Sequence, residues 1–170
     1  MLRSLLIGSG VILMLAGCAN EQPAKPEPFL ELTGRVVDAA DIFEPSFEAA
    51  LTETLAELEE DTLVQLVVAT TPSLNGYDIA DYSLQLARSW GLGDANRHDG
   101  LLLLVAPNER KVRIEVGYGL EASVKDEEAS EIIREEMLPE FELGNFEAGV
   151  EAGVAVLVQE VTPVELKEAA

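Results

Sequence analysis

The sequence predicts an α/β protein, a three-layer α/β/α sandwich around a small mixed sheet, and three observations carry that prediction. Residues 63–70 and 101–106 are apolar runs of strand length, and the stretch between them has helical periodicity. Together they make a β-α-β unit with parallel strands, whose crossover is expected to be right-handed. Residues 107–110 are turn chemistry, and residues 111–116 then alternate polar and apolar, so a second strand folds back as an antiparallel hairpin partner. Two further amphipathic patterns follow Glu121, enough helix to cover both faces of such a sheet.

Taken in order, the chain begins with a basic Arg3, an apolar core over residues 5–15, and Leu15-Ala16-Gly17-Cys18. That core is short for a membrane span and ends on small residues, as a cleaved signal does. Leu-Ala-Gly-Cys resembles the lipobox of bacterial lipoproteins, in which cleavage precedes the cysteine and the cysteine is acylated; an uncleaved signal anchor is the alternative. The expected plan is a signal peptide over 1–17, acylated Cys18 and a proline-containing tether over 18–31, a folded domain over 32–162, and a tail over 163–170. Ala19 follows the cysteine where inner-membrane lipoproteins carry aspartate, so the expected location is the periplasmic face of the outer membrane.

Residues 32–43 hold alternating apolar positions and predict a short edge strand. Pro45 suits a first helical turn, and Phe47, Leu51, Leu55 and Leu58 fall at helical spacing, with glutamates mostly on the other side. Residues 63–70 are Val-rich and stop at Thr71-Pro72. Asn75-Gly76 marks a turn, Asp78 caps a helix with Ile79, Tyr82, Leu86 and Trp90 on one stripe, and Gly91 lies past its end. The continuous run 101–106 reads as a strand buried on both faces. Residues 126–141 place Ile133, Met137 and Phe141 inward, ending near Pro139 and Gly144. Residues 145–161 bury Phe146, Val150, Val154, Leu157 and Val158, with Gly149 and Gly153 permitting close approach of a neighbour.

Composition narrows the function. Cys18 is the only cysteine, so the domain has no internal disulfide, thiol nucleophile or thiolate metal site. The net charge of −21, from 32 acidic and 11 basic residues, excludes nucleic-acid binding by phosphate neutralisation. Such a surface draws cations, either a divalent metal or a basic partner; solubility or adaptation to salt is the plainer explanation. His98 is the only histidine, and no Gly-x-Ser-x-Gly, His-Glu-x-x-His or P-loop pattern is present.

Several segments, in order and at similar spacing, resemble the TPM domain family. They are Val36-Val37-Asp38-Ala39-Ala40, Gln65-Leu66-Val67-Val68, Asp99-Gly100 with the apolar run behind it, Arg110-Lys111-Val112-Arg113-Ile114-Glu115-Val116-Gly117-Tyr118-Gly119-Leu120-Glu121, and Ile132-Ile133-Arg134. The resemblance implies an α/β/α sandwich, calcium or magnesium binding in some members, and acid phosphatase activity in a plant thylakoid relative. Asp38 matches the family's aspartate. The chain departs from the pattern at His98-Asp99-Gly100, where members often read Asp-Asn-Gly, and in having no C-terminal membrane helix or glycine-rich tail, the N-terminal lipid taking over anchoring.

The hairpin brings Asp99, before its first strand, beside residues 117–121 after its second, and this end is the first place to look for a site. Asp94, Asn96, Asp99 and Glu121, with backbone carbonyls around Gly117 to Gly119, are the candidate Ca²⁺ or Mg²⁺ ligands, since such ions take several oxygens. Asp99 and Gly100 equally suit a capped turn. Asp38 is the other candidate carboxylate, its ordinary alternative being an ion pair with Arg113 or Arg35; Asp41 is incidental. Arg110, Lys111 and Arg113 form a basic island that holds an anion or pairs across strands with Glu109 and Glu115. Tyr118 is a ligand-facing aromatic or a half-buried core residue. The expected function is an envelope lipoprotein that binds a divalent cation and serves as an assembly or maintenance factor for an envelope protein complex, held to the membrane by its lipid. The alternatives are a metal-dependent acid phosphatase using Asp38 and Asp99, and a structural interaction module without metal.

Overall fold

A computed structural model describes residues 30–163; the signal, Cys18, most of the tether and the tail lie outside them. Four strands form one sheet in the order β1 (Val36–Asp38), β2 (Gln65–Thr70), β3 (Gly100–Ala106), β4 (Lys111–Val116). The first three are parallel and β4 is antiparallel to β3, with Leu101 opposite Val116 and Ala106 opposite Lys111. This is the mixed sheet expected of the α/β/α class.

The period-two alternation of the strands sorts two cores. Leu66, Val68, Leu101, Leu103 and Val105 face a layer made by α1 (Pro45–Thr62), α3 (Asp126–Ile132) and α5 (Phe146–Val161). Val67, Ala69, Leu102, Leu104 and Ala106 face α2 (Ile79–Trp90), which buries Tyr82 and Leu86. All seven residues of β3 are buried, as its unbroken apolar run requires. Both parallel crossovers step the same way along the sheet, yet α1 and α2 lie on opposite faces. They therefore have opposite hands, and the right-handed rule holds for only one of them.

Local chemistry sets most of the boundaries. Pro45 occupies the first turn of α1. The Asp78 carboxylate accepts the Ala80 N–H at 2.9 Å, and Gly91 closes α2 in the left-handed region. Leu63 does not begin β2, as its hydrophobicity suggested; it caps α1 at φ 66°, its N–H bonded to the Glu59 carbonyl. The 126–141 pattern is three pieces: α3, a π-helical turn (Ile133–Met137), and α4 (Leu138–Glu142). Pro139 has no N–H to continue the ladder, and Leu138 N–H reaches back five residues to the Ile133 carbonyl. Met137, fully buried, sits against Gly149 and Gly153 of α5. A Cβ at Gly149 would lie 2.9 Å from the Met137 carbonyl oxygen, and one at Gly153 would lie 2.8 Å from the Met137 sulfur. The small residues thus permit the close helix approach that their spacing predicted.

Candidate functional site at the β3–β4 rim

The start of β3 and the end of β4 meet because the hairpin is antiparallel. Gly117 N–H donates to the Gly100 carbonyl at 2.8 Å, and Gly119 N–H to the His98 carbonyl at 3.0 Å. At this approach, a Cβ on Gly117 would collide with the His98 carbonyl, and one on Gly119 with the Arg97 carbonyl. Between these glycines Tyr118 begins a single 3₁₀ turn (Tyr118–Leu120) and is 73% exposed, its ring edge-on to His98 at 6.4 Å between centroids. It is not a core residue.

The loop before β3 is folded by its own carboxylates. Asp94 accepts the N–H groups of Asn96 and Arg97 at 2.9 and 3.0 Å, an Asx-type turn, and its carbonyl accepts His98 N–H at 2.7 Å. Asp99, 6% exposed, accepts the Asp94 N–H at 2.8 Å on one oxygen and the Arg97 Nε–H on the other. Gln65 ties the loop to β2, its Oε1 accepting Gly93 N–H at 2.7 Å and its N–H donating to the Asp99 carbonyl at 3.1 Å. Hydrogen bonds from the Asn96 and Arg97 N–H groups hold the Asp94 carboxyl below the usual carboxylate range. Burial pushes Asp99 upward, but the Asp94 N–H and the Arg97 guanidinium outweigh it and leave its pKa lowered. Arg97 in turn is held charged by its bond to Asp99.

A cleft of about 520 Å³ opens beside this rim, between α2, β4 and the loop, with Arg88, Asp94, His98, Tyr118, Glu121 and Asp126 in its walls. Asp94 and Glu121 therefore share one cleft, and Asp94 and Asp99 share one loop. Asn96 contributes its backbone N–H and is exposed. Asp38 is elsewhere. Its register partner is Thr70, itself paired with Val105, so it lies at the other end of the sheet, about 20 Å along the strands from Asp99 at ~3.3 Å per residue. There one carboxylate oxygen accepts the N–H groups of Ile42 and Phe43, both at 2.8 Å, and the other accepts the Thr70 hydroxyl. Neither suggested arginine pairs with it. Arg35 bonds Glu59 at 2.8 Å and Arg113 bonds Glu115 at 3.2 Å.

A dication site needs six or more oxygens around one point. Among the described residues no three His, Asp or Glu side chains are grouped to hold one. Both Asp99 oxygens already face N–H donors, and a guanidinium stands where an ion would compete. As arranged, these residues do not fit a preformed metal centre. Of the residues that build the rim, the sequence reading missed Gln65 and Arg97; nothing in their spacing marks them, since both act through loop closure.

Residues 36–160 match the family model described as the TPM domain. A solution structure of the N-terminal domain of a protein from P. gingivalis is 35% identical, with 76% of this chain and 82% of that chain covered and a TM-score of 0.71. The N-terminal domain of the cg2496 protein from Corynebacterium glutamicum is 16% identical over 78% of this chain and 80% of that chain, with a TM-score of 0.58. The BA42 protein from Bizionia argentinensis is 18% identical over 70% and 81% of the two chains, with a TM-score of 0.61. These last two share the fold. No curated protein matches the chain. The ordered match over 36–160, together with the 35% identical relative, is decisive: the chain belongs to the TPM domain family.

Proposed function

We propose that the chain is an envelope lipoprotein whose TPM domain acts by binding, as an assembly or maintenance factor for an envelope protein complex, with the β3–β4 rim as its contact surface. The supporting observation is Tyr118, a large exposed aromatic carried on backbone that is bonded at Gly117 and Gly119. Preorganised aromatic side chains are what interfaces use as anchors, because little rotamer freedom is lost on burial. Leu30, the first described residue, lies at the end of α2 on this side of the sheet, its carbonyl accepting the Trp90 Nε1–H at 2.9 Å. A tether acylated at Cys18 would hold the rim towards the membrane.

The test is a photo-crosslinking residue placed at 118 in the full-length protein in intact envelopes. A discrete adduct is expected from position 118 and none from position 57 on the acidic face of α1. Equal adducts from both, or none from 118, would remove the proposal.

A second reading, binding of Ca²⁺ or Mg²⁺, draws on Asp94, Glu121 and Asp126 lining one cleft, and needs them to close on the ion because they are not grouped as they stand. It requires Arg97 to leave Asp99. Calcium at a hundred times its dissociation constant adds about 2.7 kcal/mol to a protein with one such site. That gain should appear as a rise in Tm, larger in Arg97→Ala; no rise in either protein at millimolar Ca²⁺ or Mg²⁺ refutes the reading.

A further inference from the structure

At the opposite end of the sheet, the β3–β4 turn and the corner between α4 and α5 enclose a second groove. Its volume is about 660 Å³, and Pro107, Val112, Leu138, Phe141, Leu143 and Phe146 form its apolar walls. Leu143 is 74% exposed, and Phe141 and Phe146 lean on one another at 5.3 Å. Arg110 and Lys111 stand on one side of the groove and Glu142 also lines it.

One of the two cations is unusual in this chain. Arg110 sits at φ 53°, closing the hairpin, and makes no ion pair or side-chain hydrogen bond among the described residues. Lys111 turns to the other face of β4, where its ammonium stands 3.8 Å from Asp78 at the start of α2. In a chain with 32 acidic residues, an unpaired guanidinium beside an apolar groove favours an occupant that carries a carboxylate next to apolar side chains.

The backbone favours a peptide over an acyl chain. The Gly117–Gly100 hydrogen bond fixes which residues of the hairpin face each other as bonded pairs. The alternation then turns the peptide groups of Val112, Ile114 and Val116 away from β3, along an edge that no other strand covers. Ile114 is buried, but Val112 is half-exposed and lines the groove, so an extended segment can bond there while its side chains enter.

We propose that this groove is a docking site for an extended acidic–apolar peptide segment of a partner protein, with Arg110 reading its carboxylate and Leu143 and Phe141 its apolar side chain. The surface lies at the end of the sheet away from Tyr118, and it stands or falls independently of the reading of that rim.

The experiment is selection of a displayed heptapeptide library on the full-length protein in detergent, with counter-selection on Arg110→Glu, followed by anisotropy with the enriched peptides. Convergence on a carboxylate flanked by apolar residues is expected. The charge reversal and, separately, Leu143→Asp should each weaken binding at least tenfold, high salt should weaken it too, and Tyr118→Ala should leave it unchanged. These positions are exposed, so circular dichroism should show unaltered folding. A pool without carboxylates, affinity indifferent to both variants, or a groove that takes palmitate while no peptide converges would overturn the proposal.

Discussion

Asp38→Ala separates a structural aspartate from a site aspartate. The carboxylate holds three donors: the N–H groups of Ile42 and Phe43, which turn the chain from β1 towards α1, and the Thr70 hydroxyl, which clasps β1 to β2. Bonds to a charged acceptor contribute about 1.5–3 kcal/mol each. Asp38 is only half-buried, so the lower end applies, and water can reach part of what is lost. A net loss of about 3 kcal/mol is expected for alanine, mostly from the two stranded N–H groups. An asparagine at this position would keep an oxygen for those N–H groups, so Asp38→Asn should cost about 1 kcal/mol. With a urea m-value of about 2 kcal/mol/M, the alanine variant should unfold about 1.5 M earlier. The assay is urea unfolding followed by circular dichroism, repeated with calcium. Because Asp38 is about 20 Å from Asp99, any calcium-dependent gain should be the same in both variants. Wild-type stability in Asp38→Ala would refute the clasp, and loss of a calcium effect would refute the separation of the two rims.

Three further outcomes follow from the geometry. Asp99 has a lowered pKa in the folded state, so its contribution is present above the unfolded carboxylate value of about 3.9 and is lost as pH falls through the lower folded value. Arg97→Ala should move that loss to higher pH, read as a fall in Tm between about pH 5 and 3 relative to wild type; coincident Tm-pH curves would contradict it. Gly149→Ala puts a methyl against the Met137 carbonyl and the Phe141 ring, and should destabilise by about 1–2 kcal/mol even after the helix-propensity gain of about 1 kcal/mol. Gly153→Ala meets only the flexible Met137 side chain and should be close to neutral, so the reverse ranking in thermal melts would overturn the packing argument. Gly119→Ala has backbone to displace at Arg97, and should abolish the crosslink from position 118 while most of the far-ultraviolet circular dichroism survives.

The layers were legible because they rest on periodicity. The unbroken run of β3, the alternation of β4 and the Asp78/Gly91 punctuation of α2 each follow from one local rule. Leu63 defeats that rule because an apolar side chain next to Val64 looks like strand, whereas a left-handed cap is set by where the helix stops. The rim was half legible: antiparallel pairing alone brings Asp99 to Gly117. That Arg97 bonds a residue two positions away depends on His98 adopting φ 52°, which the sequence does not announce. Asp38 was recognisable as a carboxylate with a purpose, but its three partners come from a turn and a neighbouring strand 32 residues later. Tyr118 reads equally as ligand-facing or half-buried, and Leu143 gives no signal at all, for a simpler reason. Hydrophobicity says what a side chain would rather do, and these two are held in water by the backbone beneath them.

The π turn before Pro139 has an evolutionary corollary. Such a turn is an α-helix carrying one inserted residue, and deleting any one of residues 133–137 should remove it, leaving the missing N–H of Pro139 as the remaining gap in the ladder. Every position downstream would then swing by about 100° around the axis, carrying Leu138 and Phe141 off the wall they share with the hairpin turn. A single codon thus separates a TPM domain with this groove from one without it.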